Sequence, residues 1–445
     1  MRKYTQLCLV LITIISIIVL LMYRNEYKQL KYVLDVVNFI GRKDEISLIH
    51  LENQTNFYQE SSYQFNEPLP IWQRIGNGFH AYSSFWIKPN DLKAGGELIT
   101  IAIGLKHSIV SFKCELDYGD NKTQKGKFVF VREEIVGDNP NDTGNGEHFI
   151  VYKFVCKVNK NFGIPKQAIF TDLNSKSKHR IHVRNLKRKN IDELLTMTLC
   201  VNLVPRNQTD NNPFLTEFNL LQYFIHHQLI GVDEFLVYDS SSIDLSLRQT
   251  LFSHGIKLNA FPFNFPFDTS QRTNIRKLIE MDCLLRTSNS VKYTAVVTPR
   301  DYIYTNGNLQ KTPQPLLQML KNPSYGTDVK LEIPTNPICR HEMKKILSDN
   351  LLISSNVSSE SNKIFLFKSN YIFTRNNNVA SNANSINSRL NKNLIFNNHY
   401  SDCDDRHSQN VNDNLVEWRS VVSMEFREYI DQIGVHVNAL LRSEN

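Results

Sequence analysis

The chain has 445 residues, 41% hydrophobic and 11% aromatic, which is enough apolar material for two packed domains. Its net charge of +7 is modest for this length. Such a charge suits an anionic ligand or a nearby membrane surface, and it is too small to indicate nucleic-acid binding.

The N-terminus carries an almost unbroken apolar run at residues 4–23. A membrane-spanning helix needs about 20 such residues, so the run is long enough to cross a bilayer. Arg2 and Lys3 precede it, and no small-residue cleavage site follows it. We therefore expect a cytoplasmic tip and uncleaved signal anchor at residues 1–23, followed by a polar stem at residues 24–66.

Glycosylation triplets and cysteines both favour a secretory compartment for the rest of the chain. Six of the seven cysteines lie beyond the apolar run, and an even number suits disulfide pairing in an oxidising lumen. No Cys-x-x-Cys motif occurs, which argues against a zinc ribbon. Five asparagines head an Asn-x-Ser/Thr triplet, although such triplets also arise by chance in a chain rich in Asn and Ser: Asn53, Asn121, Asn141, Asn207 and Asn356.

Residues 67–190 are expected to form a smaller β-rich domain. Runs of β-branched and aromatic residues are separated by turns rich in glycine and asparagine. Cys114 and Cys156 end or interrupt two of these runs, and a disulfide between them would stabilise the domain by roughly 2–4 kcal/mol. A basic run at residues 176–189 alternates with Ile181 and Val183, which is typical of an edge strand or a solvated linker. The predicted strands are 79–87, 98–105, 128–131 and 149–155.

Residues 191–445 are expected to form an α/β domain. A buried strand at 195–204 leads into a helix that Asn212 and Pro213 begin and Gly231 ends. Two further strand–helix steps follow, so the pattern predicts a mostly parallel sheet with flanking helices. The remaining predicted elements are strands at 234–238, 255–261, 295–297 and 363–368, a helix begun near 269–270, a loop or low-complexity segment at 376–398, and a C-terminal helix at 414–433.

The stretch after the 295–297 strand is the first candidate site. Pro299 cannot donate to a strand ladder, and the charged pair Arg300 and Asp301 follows it immediately. Ligands of open α/β sheets bind just beyond the carboxyl ends of the strands. The pair therefore marks either a ligand site or a salt-bridged surface turn.

Several short motifs resemble glycosyltransferase family 92, formerly domain of unknown function 23. The resemblance covers roughly residues 79–400 through many weak motifs rather than one strong one. It implies a GT-A-like fold for the α/β domain. The matching segments are Tyr82-Ser83-Ser84-Phe85, Leu199-Cys200-Val201, residues 218–231, Phe235-Leu236-Val237-Tyr238-Asp239-Ser240-Ser241, Asp282-Cys283-Leu284, Lys368 and His399-Tyr400.

The chain departs from that family at the metal motif. Where the family has Asp-x-Asp-Glu, this sequence reads Thr298-Pro299-Arg300-Asp301, so both metal-binding aspartates are absent. The resemblance implies Asp301 as a catalytic group and Asp301 with His399 as metal ligands, but threonine and arginine do not suit a hard cation such as Mn²⁺. Arg300 could bind a diphosphate directly, or metal binding and catalysis have been lost. Asp239 matches the strand-end aspartate beside the nucleotide, and a turn-forming aspartate is the alternative.

The resemblance implies a type II membrane protein of the Golgi, with its C-terminal domain in the lumen. Its activity would be transfer of a hexose, galactose by analogy, from a UDP-sugar to a glycan or glycoprotein acceptor. The alternative is a catalytically inactive relative that binds glycans or acts as a scaffold. A serine-hydrolase function is disfavoured because the sequence has no Gly-x-Ser-x-Gly motif.

Overall fold

The computed structural model describes residues 71–402 with gaps, and it consists mostly of β-strands arranged in mixed sheets with few helices. All described residues belong to one compact unit that begins at residue 70. The gaps are residues 88–94, 121, 134–148, 161, 186–194, 204–214, 240–242, 244, 254, 264, 267–271, 289, 306–314, 321–329, 341–351, 354–362, 369–386 and 393–394.

The first eight strands form one sheet, in the order β1-β2-β3-β6-β5-β4-β7-β8, and a further pairing of β8 with β2 closes it on itself. We refer to this closed sheet as the barrel. The predicted strands of the β-rich region are present. The strands are β1 (Gln73–Gly76), β2 (Phe79–Ile87), β3 (Gly96–Leu105), β4 (Phe112–Asp117), β5 (Thr123–Glu133), β6 (Phe149–Val158), β7 (Gln167–Asp172) and β8 (Lys178–Asn185).

The barrel interior is aromatic and is crossed by a disulfide between Cys114 and Cys156, which confirms the predicted pairing. Gly126 lies opposite Cys114 in the strand register, and a β-carbon at this glycine would collide with the sulfur of Cys156. The basic run contributes β8, whose Ile181 and Val183 are buried inside the barrel. The edge-strand and linker interpretations were both wrong, because β8 has a hydrogen-bonded neighbour on each side.

The second sheet has seven strands in the order β11-β10-β9-β12-β17-β14-β18 and is mostly parallel, as predicted. Helices connect its first four strands in chain order. These elements are β9 (Leu195–Asn202), α1 (Glu217–Ile230), β10 (Glu234–Asp239), α2 (Leu245–Ser253), β11 (Leu258–Pro262), α3 (Arg272–Thr287) and β12 (Val291–Val297).

Helix α1 begins later than the sequence predicts. Thr216 caps it, since its hydroxyl accepts from the amide of Asn219 at 3.4 Å, while Asn212 and Pro213 lie outside the described residues. Gly231 ends the helix as predicted, in the left-handed conformation with φ of 111°. A residue with a side chain would be strained at that angle.

The remaining strands complete the second sheet and form a small third one, β13-β19-β15-β16. The 376–398 segment was predicted as a loop or low-complexity stretch, but residues 387–389 form β18 and residues 395–398 belong to β19, since both strands pair with neighbours distant in sequence. The elements are β13 (Asp301–Thr305), α4 (Pro315–Leu320), β14 (Lys330–Ile333), β15 (Thr335–Arg340), β16 (Leu352–Ile353), β17 (Ile364–Lys368), β18 (Asn387–Arg389) and β19 (Ile395–Asp402).

Candidate functional site

Three parallel strands end together at one edge of the second sheet. The register aligns Val237 of β10, Val201 of β9 and Val297 of β12, so the carboxyl ends of these strands lie at one level. Asp239 ends β10, and the turn of residues 298–301 follows β12. With β9 between them, the two sites are about 10 Å apart, which is two strand spacings. The predicted strand-end residues therefore share one edge, although the side chain of Asp239 lies outside the described residues.

The turn of residues 298–301 is held by its own side chains. The amide and hydroxyl of Thr298 both donate to Oδ2 of Asp301, at 2.8 and 2.7 Å. The backbone amide of Asp301 donates back to the carbonyl of Thr298 at 3.0 Å. The amide of Arg300 donates to the Thr298 hydroxyl at 3.3 Å. Thr298 therefore holds one oxygen of Asp301 through both its amide and its hydroxyl.

The other oxygen of Asp301 accepts from the neighbouring strand. Asp301 and His399 are register partners in the antiparallel pair β13–β19. His399 Nδ1 lies 2.7 Å from Asp301 Oδ1, and the amide of Asn397 donates to the same oxygen at 3.1 Å. An ionised carboxylate has about four acceptor sites, and four donors fill them here. The predicted ligands Asp301 and His399 are thus brought together, but as partners of each other.

The charged state of Asp301 follows from these contacts. Burial by itself raises the pKa of this carboxyl, but the charge and hydrogen bond of His399, the hydrogen bond from Thr298 and the charge of Arg276 outweigh it. The pKa of Asp301 is therefore held well below its usual value. The side chain of His399 is 14% exposed, whereas Asp301 is buried, so the pair lies just beneath the surface of the edge.

Two buried histidines of α1 support the strand that begins at Asp301. His226 Nε2 lies 2.8 Å from the carbonyl of Ile303, and the amide of Ile303 donates to His227 Nε2 at 3.4 Å. His227 Nδ1 in turn lies 2.8 Å from the carbonyl of Tyr223. Because a carbonyl only accepts, His226 carries its proton on Nε2 and His227 on Nδ1. Both backbone groups of Ile303 are thereby held by side chains of α1.

Burial keeps both of these histidines neutral. It lowers the pKa of His226 to about 4, against an opposing hydrogen bond to Ile303. It also lowers the pKa of His227 well below its usual value, and the neighbouring His226 adds to that effect. The sequence places two adjacent histidines in the predicted helix, but helical periodicity gives no indication that they contact β13.

The described side chains of the 298–301 turn and of His399 do not fit a divalent metal ion. Both oxygens of Asp301 already accept two protein hydrogen bonds each, and the Thr298 hydroxyl donates to one of them. Within the part of the chain that the structure describes, no group of three or more His, Cys, Asp or Glu side chains is arranged to hold a metal. The assignment of Asp301 and His399 as metal ligands stays a prediction that these contacts do not support.

A second buried carboxylate joins the barrel to the second sheet. Asp282 accepts two hydrogen bonds from Arg286, at 2.9 and 2.8 Å, and one from the hydroxyl of Tyr238 at 2.6 Å. The hydroxyl of Ser83 on β2 donates to it as well. Two segments that carry the family resemblance, around Ser83 and Asp282, are therefore in direct contact. A disulfide between Cys200 and Cys283, which the sequence did not pair, attaches α3 to β9 beside them.

Several predicted features fall outside the described residues. These are the apolar run at 4–23, the C-terminal helix at 414–433 and every asparagine of the predicted glycosylation sites. Among the described residues, no helix has both the length and the apolar character that a membrane span requires. The two disulfides indicate an oxidising compartment.

Comparison with known proteins gives only a distant structural likeness. No family model matches the chain. No curated protein matches it either. Among solved structures, 4-diphosphocytidyl-2C-methyl-D-erythritol synthase from Anaerococcus prevotii is 7% identical, with a TM-score of 0.23, and covers 47% of this chain and 90% of its own. A second structure of a 4-diphosphocytidyl-2C-methyl-D-erythritol synthase is 12% identical, with a TM-score of 0.22, and covers 51% and 97%. Similarity at this level carries no argument about function.

Proposed function

We propose that this protein is a GT-A-like glycosyltransferase that binds a UDP-sugar at the carboxyl edge of the second sheet. It would transfer the hexose, galactose by analogy with family 92, to a glycan or glycoprotein acceptor. The observation that carries the proposal is the shared edge where β10 ends at Asp239 and β12 leads into the turn of residues 298–301. Crevices at such strand ends are where open α/β sheets bind nucleotides.

The chemistry requires positive charge at that edge. An acceptor hydroxyl attacks the anomeric carbon of the sugar and gives up its proton to solvent, the bond from that carbon to the diphosphate oxygen breaks, and UDP leaves with the bonding electrons. Arginine side chains bind phosphate oxygens through charge-assisted, paired hydrogen bonds. Arg300 lies within the turn, and Arg276 is close enough to lower the pKa of Asp301. His399 also contacts the carboxylate of Asp301, and Arg300 directly precedes that residue in the chain.

For Asp301 we propose a positioning role. Its carboxylate already accepts four hydrogen bonds, and its low pKa makes it a poor proton acceptor. It holds the turn that carries Arg300 and fixes His399 on the adjacent strand. Its earlier assignment as a catalytic group stays a prediction.

The second candidate function is non-enzymatic, namely glycan binding or scaffolding by an inactive relative. The observation that favours it is the fully occupied carboxylate of Asp301, the one acidic side chain that the altered motif retains. An occupied carboxylate neither binds a metal ion nor takes up a proton in this arrangement. The two candidates make opposite predictions for turnover.

We further propose a single-pass type II topology, with the C-terminal domain in the Golgi lumen and glycans on Asn53, Asn121, Asn141, Asn207 or Asn356. The two disulfides support an oxidising compartment. Treatment of the full-length protein from secretory cells with peptide N-glycosidase should increase its mobility on a gel. Unmodified asparagines at all five positions would contradict the lumenal location.

The direct test of function is a transfer assay with the full-length protein in detergent. We expect hexose transfer from UDP-galactose to a mixed glycan acceptor pool in the presence of a chelator, and its loss in Arg300→Ala. A matched control is Arg248→Gln, which removes an exposed arginine on α2 and should retain activity. Binding of glycans without turnover of any UDP-sugar, with or without manganese, would instead favour the non-enzymatic candidate.

A further inference from the structure

A row of lysines crosses the outer surface of the barrel on β6, β5, β4 and β8, and a threonine on β7 completes it. Lys157 and Lys127 are register partners, and so are Lys178 and Thr171. Thr171 is also the register partner of Lys113 on β4. We call this set the lysine row, and its members in strand order are Lys157, Lys127, Lys113, Thr171 and Lys178.

The lysine row is continuous between β4 and β5. The pairing of these two strands ends one residue before Lys113 and Lys127 come opposite each other. The ring centroids of Phe112 and Phe128, one residue beyond the two lysines, are 6.0 Å apart, so the strands still lie side by side there. Neighbouring strands are about 4.8 Å apart, and the two lysines are therefore separated by about one strand spacing.

The lysines of the row face solvent. Side chains alternate across a strand, and the residues next to Lys113 and Lys157, namely Cys114 and Cys156, form the disulfide inside the barrel. All four lysines are exposed. Lys157 forms an ion pair with Glu97 of β3 at 2.7 Å. Among the described carboxylates, none is within ion-pair distance of the other three lysines.

The adjoining residues on the outer surface of the barrel are also mainly basic. In the next row, Glu115 of β4 lies opposite Lys125 of β5, and Arg180 of β8 extends that row beyond β7. Lys125 and Arg180 are exposed, whereas Glu115 is half-buried. One row further, Asp117 already accepts the backbone amide of Gly119 at 2.9 Å. The basic run of the sequence therefore contributes to a positively charged surface of the barrel.

We propose that the lysine row binds an anionic glycan, a chain with repeated carboxylate or sulfate groups. Like charges directly opposite each other destabilise a sheet, and Lys127 lies between Lys157 and Lys113, so a bound anion would relieve the repulsion. Clusters of basic residues of this kind are typical of surfaces that bind polyanions.

The shape of the lysine row favours a glycan over a membrane surface. The charges follow one line across five strands, which suits a linear polymer, and the row contains no apolar side chain that could enter a bilayer. The choice of a glycan rests on the proposed function, since both candidate functions act on glycans. The anionic character rests on the row itself, and it adds the chemical class of the glycan.

The test is calorimetric titration of the full-length protein in non-ionic detergent with three sugars. A heparin fragment carries sulfates and carboxylates, a hyaluronan fragment carries carboxylates alone, and a maltooligosaccharide is neutral. We expect the wild type to bind the heparin fragment and not the neutral sugar. Binding of hyaluronan as well would show that carboxylates suffice, whereas binding of heparin alone would assign the row to sulfated chains.

The double variant Lys113→Gln with Lys127→Gln should bind the heparin fragment about tenfold more weakly, which corresponds to about 1.4 kcal/mol for two surface charge pairs. Its affinity should also depend less steeply on salt, because fewer counterions are released. Lys178→Gln, at the other end of the row, should weaken binding by about threefold. The charge-matched control is Lys292→Gln with Lys392→Gln, which removes two exposed lysines outside the barrel and should bind like the wild type.

Thermal unfolding separates binding from folding, since removing the repulsion between Lys113 and Lys127 should leave the double variant at least as stable as the wild type. Equal weakening in the two double variants, or unchanged affinity in Lys178→Gln, would overturn the proposal. So would failure to bind either charged sugar, including the case in which phosphatidylserine in mixed micelles binds instead. Glycan binding by the row without hexose transfer would refute the transferase function alone, and transfer without such binding would refute this proposal alone.

Discussion

Two buried carboxylates, Asp282 and Asp301, accept four hydrogen bonds each and serve different parts of the molecule. Asp282 is wholly buried where the barrel meets the second sheet, and its main partner is Arg286, one turn further along α3. Asp301 is buried at the edge of the second sheet, and its ionisable partner is His399. Asp282 therefore has a fully enclosed, permanently charged partner, whereas Asp301 has a partner that is partly exposed.

The enclosed surroundings of Asp282 indicate that this carboxylate has a purely structural role. Arg286 packs over the rings of Phe261 and Phe85, with 4.4 and 5.3 Å from its guanidinium carbon to the ring centroids, so the ion pair is closed off from solvent on both sides. Burial and Asp282 also raise the pKa of Tyr238, whose hydroxyl keeps its proton and donates. The Asp301 cluster instead lies under a partly exposed histidine at the strand ends, where a ligand can approach.

The largest loss of stability is expected for Asp282→Ala. This change leaves Arg286 buried without its partner, and breaking a buried ion pair in this way costs about 3–5 kcal/mol of unfolding free energy. Chemical denaturation of the full-length protein measures the loss. The double variant Asp282→Leu with Arg286→Met should recover much of it, because a buried ion pair is replaceable by packed apolar groups. A single variant as stable as the wild type would contradict the structural role.

A smaller loss of unfolding free energy, of about 1–3 kcal/mol, is expected for Asp301→Ala. The change leaves the Thr298 hydroxyl and the Asn397 amide without their acceptor, but the side chain of His399 is 14% exposed and can hydrogen-bond to water. The same denaturation series measures this value beside that of Asp282→Ala. Metal-free UDP binding should weaken in Asp301→Ala, since the turn that carries Arg300 is loosened. A larger loss of stability than for Asp282→Ala would reverse the ranking of the two carboxylates.

The third prediction distinguishes the pH dependence of stability that comes from the buried histidines supporting β13 from the pH dependence that comes from Asp301. The folded pKa of His226 is about 4, against an ordinary value of 6.5, so between these values the unfolded chain binds a proton that the folded chain does not. Stability is therefore full above pH 6.5 and falls as the pH drops from 6.5 towards 4, by up to about 1.4 kcal/mol per pH unit for each such histidine. The lowered pKa of Asp301 acts in a different window, because its stabilisation is lost only as the pH falls below its ordinary value of 3.8.

Unfolding free energies of the full-length protein at several pH values between 6.5 and 4 measure this dependence. In His226→Gln the decline should be shallower, since one group that resists protonation in the fold is gone. The exposed His107 provides the control, and His107→Gln should leave the slope unchanged. An equal slope in the wild type and in His226→Gln would contradict the burial of a neutral histidine.

Local patterns in the sequence predicted much of the fold. Runs of β-branched and aromatic residues located strands β2, β3, β5 and β6, and a glycine after an apolar stripe located the end of α1 at Gly231. The strand partners were not available from such patterns, because register depends on contacts between distant residues. For this reason β8 was interpreted as an edge strand or a solvated linker, and the strand containing Asn397 was not recognised within an asparagine-rich segment.

The candidate site was only partly predictable, because its contacts also depend on which distant strands lie side by side. Strand-end position and the family resemblance pointed to Asp239, Arg300, Asp301 and His399, and the sheet brings Asp301 and His399 into contact. Arg276 of α3 helps to lower the pKa of Asp301, and no local feature of that helix reveals this interaction. The contribution of Thr298 also depends on the turn geometry, in which its hydroxyl faces Asp301.

The most direct test of the central claim is the location of bound UDP. Deuterium exchange of the full-length protein, with and without UDP in a chelator, reports which backbone amides the ligand protects. We predict slower exchange at the end of β10 and in the turn of residues 298–301, with the exchange of barrel strands β3 to β7 unchanged. Protection confined to the barrel, or none at saturating UDP, would contradict a nucleotide site at the carboxyl edge of the second sheet.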